Sequence, residues 1–69
     1  MTPEQEQRLA RITAAALDVW RSPEAAQRFL TKPHMLLRGR APREIAIESE
    51  TGARKVEEIL GGLKYGTAV

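Results

Sequence analysis

One histidine, His34, and no cysteine narrow the chemistry open to this sequence. A histidine-based acid–base or nucleophilic site needs an orienting partner and a nucleophile within reach. The hydroxyls on offer are Thr2, Thr13, Ser22, Thr31, Ser49, Thr51, Tyr65 and Thr67, and several already have a role as helix caps. His34 follows Pro33, so a loop histidine that hydrogen-bonds locally is the simpler reading. Glu57 and Glu58 are adjacent; on a helix they project about 100° apart and cannot share a substrate. Glu48 and Glu50 straddle an expected helix start, where carboxylates favour the positive end of the helix dipole. A single imidazole with scattered carboxylates gives no zinc spacing. Gly61-Gly62 lacks the following lysine and helix start of a phosphate loop. Arg38-Gly39-Arg40 offers two guanidiniums to an anion, but a solvated turn is its default reading. The sequence therefore points away from an enzyme and toward a binding module, with no metal and no cofactor.

At 69 residues the chain is one domain, spanning 1–69, near the lower size limit for a self-supporting core. Without disulfides, stability is expected from close helix packing, self-association or a partner. No run approaches the ~18 apolar residues that a membrane span requires, so no membrane role is expected. The polar, acidic start Met1-Thr2-Pro3-Glu4 is unlike a signal peptide, and a cytoplasmic location is expected. The net charge is only +2, but it is unevenly spread. Residues 25–43 carry Arg28, Lys32, Arg38, Arg40 and Arg43 with no acid; residues 44–58 carry five glutamates against Arg54 and Lys55. Such a pattern suits an acidic protein surface, nucleic acid, self-complementarity or plain solvated helix faces.

The elements that must position these groups are helices. Thr2-Pro3-Glu4-Gln5 has the form of a capping box with proline at the first helical position. Behind it, Leu9, Ile12, Thr13, Ala16, Leu17, Val19 and Trp20 share one face, opposite Glu4, Gln7, Arg8, Arg11, Asp18 and Arg21. Glu4 and Arg8 have the spacing of an i,i+4 ion pair. Trp20 is expected in the core, with an exposed interface anchor as its other reading. Ser22-Pro23-Glu24 opens a second helix that turns Ala25, Ala26, Phe29 and Leu30 inward, and Pro33 stops it. Residues 33–41 read as a loop carrying an apolar plug, Met35, Leu36 and Leu37, with a turn at Gly39. Pro42 opens a short third helix with Ile45 and Ile47. Ser49 caps a fourth, whose stripe is Ala53, Val56, Ile59, Leu60 and Leu63, and Gly66 is its expected stop. The fold class is all-α, a small bundle of about four helices.

The ordered set of these features resembles a known family. Ser22-Pro23-Glu24-Ala25-Ala26-Gln27-Arg28-Phe29-Leu30, Pro33-His34 and Leu37-Arg38-Gly39-Arg40-Ala41-Pro42 are followed by Glu50-Thr51-Gly52-Ala53-Arg54-Lys55-Val56-Glu57-Glu58-Ile59-Leu60-Gly61 and Leu63-Lys64-Tyr65-Gly66. Over about residues 17–66 this is similar to the toxin-binding domain of bacterial Xre/MbcA/ParS-type antitoxins, the closing aromatic-glycine pair above all. The resemblance implies binding and neutralisation of a RES-domain toxin that degrades NAD, with the antitoxin's C-terminal end blocking the active site. Carried to this chain, the toxin-binding positions are Lys64, Tyr65 and Gly66, extended by Thr67, Ala68 and Val69. It also implies a homodimer. Two departures stand out. Only about twenty residues precede the matched region, too few for the family's usual helix-turn-helix domain, so DNA binding by this chain alone is not expected. The family's loop glycine pair reads Arg38-Gly39-Arg40 here. The alternative function is a small nucleic-acid-binding or transcription-regulatory helical protein, resting on the basic stretch.

Overall fold

The structure, a computed structural model, describes residues 1–66. Four helices follow one another: α1, Pro3–Trp20; α2, Pro23–Thr31; α3, Pro42–Glu48; and α4, Glu50–Tyr65. A 3-10 turn, Met35–Leu37, interrupts the connection between α2 and α3, and the described residues contain no strand. Thr67, Ala68 and Val69 lie outside the described residues.

Each helix begins where its cap chemistry dictates. The Thr2 hydroxyl accepts from the Gln5 N–H while the Gln5 carboxamide accepts from the Thr2 N–H at 2.9 Å, completing the capping box. Ser22 and Ser49 cap α2 and α4 through the N–H groups of Ala25 and Gly52. α3 has proline at its first position and no side-chain cap. Arg21 ends α1 in the left-handed region, and Gly66 does the same for α4 at φ 65°.

The core forms where α1 packs against α2, α3 and α4, with α3 and α4 in close contact. Ile12 and Ala16 of α1 meet Ala26 and Leu30 of α2, Ala46 of α3, and Ala53, Val56 and Leu60 of α4, with Leu37 closing one side. Four of these nine are alanines, so the helices approach closely around a few large side chains. Phe29, Trp20, Leu9, Val19, Ile45 and Ile59 pack half-buried around them. Trp20 stacks on Phe29 with ring centroids 4.9 Å apart.

Two details differ from the sequence pattern. The apolar plug is split: Leu37 is buried at 6 % exposure, whereas Met35 and Leu36 stand out at 90 % and 64 %. One 3-10 turn cannot aim three consecutive side chains the same way. Arg8 does not pair with Glu4. Its Nε donates to the Ala46 carbonyl at 2.9 Å and its Nη2 to the Ile47 carbonyl at 2.8 Å, joining α1 to the end of α3. Those carbonyls belong to a C-terminal turn, where a cation is favoured and acceptors lack helical partners. Glu48 ends α3 and directly precedes Ser49, the N-cap of α4, so Glu48 and Glu50 straddle that helix start as the sequence suggests; Arg40 pairs with Glu48.

Candidate functional site

The last turn of α4 carries the positions singled out by the resemblance. Leu60 is the final buried residue of the helix. Beyond it the surface opens: Leu63 is 45 % and Tyr65 71 % exposed. Residues 63 and 65 project about 200° apart on a helix, so the turn shows apolar surface on two sides. Leu63 faces the 3-10 turn and, with Leu36, Ile59, Gly62 and His34, lines a groove of about 280 Å³. Tyr65 faces α1, beside Asp18 and Val19. Gly66 then adopts the left-handed conformation, and its N–H donates to the Gly62 carbonyl. Glycine takes that conformation without the steric cost a Cβ brings.

Lys64 is engaged within the chain. Its ammonium pairs with the Asp18 carboxylate of α1, and its Nζ stands 5.3 Å from the centre of the Tyr65 ring. The hydrogen bond to Asp18 holds the Lys64 ammonium above its ordinary range. Sequence spacing provided no signal for this pair: the two residues are 46 apart, and Asp18 belongs to the solvent face of the first helix.

His34 has a structural task. Its Nδ1 accepts from the Leu36 N–H at 3.1 Å, capping the 3-10 turn, and its ring meets Phe29 edge-on at 5.7 Å. Backbone bonds from His34 N–H to the Arg40 carbonyl and from Gly39 N–H to the His34 carbonyl close the loop. Among the described residues no group of three histidine, aspartate or glutamate side chains is disposed to hold a metal. No helix among them is long and apolar enough to cross a membrane.

The basic stretch is partly neutralised. Arg28 pairs with Glu24 at 3.9 Å, and Arg40 pairs with both Glu44 and Glu48. Arg38, Arg43 and Lys32 lie in three different places: the left-handed end of the 3-10 turn, the first turn of α3 and the C-cap of α2. They do not form the continuous helical face that groove recognition uses. A second charged cluster joins α1 to α4: Arg11 bridges Glu50 at 2.8 Å and Glu57 at 2.7 Å, and Arg54 reaches Glu50 at 3.3 Å.

The family model of the antitoxin Xre/MbcA/ParS C-terminal toxin-binding domain matches residues 15–66. The match takes in the last third of α1, all of the other helices and the 3-10 turn between α2 and α3. Neither the comparison with curated proteins nor that with solved structures gave a match.

Proposed function

Because this chain belongs to the family of antitoxin Xre/MbcA/ParS C-terminal toxin-binding domains, we propose that it neutralises a RES-type, NAD-degrading toxin by setting the end of α4 at the toxin's active-site entrance. The observation that carries this reading is Tyr65: a large amphipathic side chain, 71 % exposed, at the end of a capped helix. Tyrosine is enriched at interfaces because its ring buries well and its hydroxyl finds a polar partner. Gly66 next to it leaves room for close backbone approach. Lys64, Tyr65 and Gly66 form the contact, and Thr67, Ala68 and Val69 extend it toward a site that accommodates the anionic phosphates of NAD. Met35, Leu36 and Leu63 provide further apolar area nearby. Binding rather than catalysis is the role, the working unit is a homodimer of this single helical domain, and the setting is the cytoplasm. The ion pairs of Arg28 and Arg40 count against the nucleic-acid alternative.

Co-expression with a neighbouring RES-domain protein tests the proposal through growth, cellular NAD and co-purification. Rescue with a stable complex is expected; neither rescue nor complex would end the antitoxin reading. Deleting residues 67–69 separates tail from helix end, since unchanged inhibition would remove the tail from the contact.

A further inference from the structure

We infer that Asp18 is a positioning residue for the contact surface, holding the last turn of α4 formed, and Tyr65 in place, before a partner arrives. The inference rests on the reading of Tyr65 as a contact residue. The terminal turn has little else to hold it. After Leu60 it contributes no buried side chain, and it contains Gly61 and Gly62, which cost ~1 kcal/mol each relative to alanine in a helix interior. Half of the Leu63 surface remains exposed. Local preference therefore favours fraying.

Two interactions oppose it. One is the Gly66 N–H bonded to the Gly62 carbonyl, which exists only while the turn is formed. The other is the Lys64–Asp18 pair, the one polar side-chain tie among the described residues between this turn and the rest of the molecule. It reaches from the polar face of α1 across to α4. The same ammonium lies within the ~6 Å over which a cation is drawn to an aromatic face. Carboxylate, ammonium and ring thus form a series from α1 to the exposed tyrosine. With its charge matched by Asp18, Lys64 serves as a strut to α1 as well as part of the contact surface. A turn ordered in advance lowers the ordering cost of binding.

Asp18→Asn keeps the shape and removes the charge. Amide exchange of the whole chain, followed by NMR, should show Gly66 and its neighbours in the last turn exchanging roughly two- to fivefold faster, the scale of one exposed ion pair. The Val56 and Leu60 amides should be unaffected. The exchanged pair, Asp18→Lys with Lys64→Asp, should restore protection, and high salt should reproduce the Asp18→Asn effect in the unaltered chain. Unchanged exchange at Gly66, equal acceleration at Val56, or no recovery in the exchanged pair would overturn the inference. Affinity for the co-purified RES-domain protein should fall by a similar factor in Asp18→Asn; undiminished affinity would overturn the positioning role. If the unaltered chain binds no such protein, the toxin reading fails, and the exchange rates decide the ordering role by themselves.

Discussion

Gly52 of α4 lies directly against the backbone of Ile45 of α3. A Cβ placed at Gly52 would stand 2.8 Å from the carbonyl carbon and from Cγ2 of Ile45, and closer still to its carbonyl oxygen. The obstacle is mainly backbone, which cannot rotate aside. Gly52 is also the N–H that Ser49 caps, so its place is pinned from both sides. Gly52→Ala is expected to destabilise the fold by about 3 kcal/mol through overpacking, although alanine is the better helix former. Thermal or urea unfolding checks this; a stabilised variant would mean that α3 and α4 can separate freely.

Arg8 supplies two bonds to part-buried carbonyls at the end of α3. Removing it leaves the Ala46 carbonyl without its side-chain partner and the Ile47 carbonyl with only the Gln5 carboxamide at 3.3 Å, at a cost of about 1–3 kcal/mol. Arg8→Met should lower the urea midpoint, and Arg8→Lys should recover only part of the loss because an ammonium lacks the guanidinium fork.

The tip of the 34–40 loop and its root should respond oppositely to truncation. Leu37→Ala removes a core side chain and should cost about 2–5 kcal/mol. Met35→Ala and Leu36→Ala alter solvent-facing groups and should remain within about 0.5 kcal/mol of the parent. Urea unfolding of the three variants makes the comparison.

Stability should bend at both ends of the pH scale. Arg11 holds the Glu50 carboxyl below its ordinary 4.5, and Arg40 does the same for Glu48. A carboxylate with a lowered folded value contributes stability that is complete above 4.5 and lost as pH falls through the folded value. Lys64 is raised above 10.5 by Asp18, so its contribution is complete below 10.5 and lost as pH rises through the raised value. Urea midpoints should be level near neutrality and fall at each extreme. Arg11→Gln should flatten the acid limb and Asp18→Asn the alkaline one.

Tyr65→Ala separates folding from recognition. The side chain is exposed, so the melting transition should stay within the range of ordinary surface changes, about 0.5 kcal/mol. Affinity for the toxin should fall about tenfold or more, as for an interface anchor. Retained inhibition would move the contact away from the helix end; matched loss of fold and binding would make Tyr65 structural.

Local chemistry made much of this fold readable in advance. Thr2, Ser22 and Ser49 cap helices through N–H groups three residues on, and Gly66 ends α4 through a bond to Gly62; each depends on neighbours in the chain. The stripe of Ala53, Val56 and Leu60 is equally local and lies in the core. Arg8, Asp18 and Gly52 were opaque because their partners are brought near only by the packed helices. A polar-face arginine looks the same in sequence whether it pairs with a glutamate one turn away or with carbonyls 38 residues on. Met35 and Leu36 misled for a related reason: hydrophobicity marks a wish for burial, and the direction of a single turn decides which residue obtains it. At the candidate site the exposure of Tyr65 and the left-handed Gly66 agree with the expected helix end, while the strut behind Lys64 came from geometry alone.

The closed 34–40 loop has an evolutionary corollary. Its hydrogen bonds run from backbone to backbone and from the Leu36 N–H to the His34 ring, and its anchor is Leu37; the side chains of Met35 and Leu36 contribute no bond to its closure. Mutational drift at those two tips is therefore uncoupled from the stability threshold that constrains most of so small a chain. Substitution at those two positions can change the exposed surface of the loop while leaving its scaffold intact.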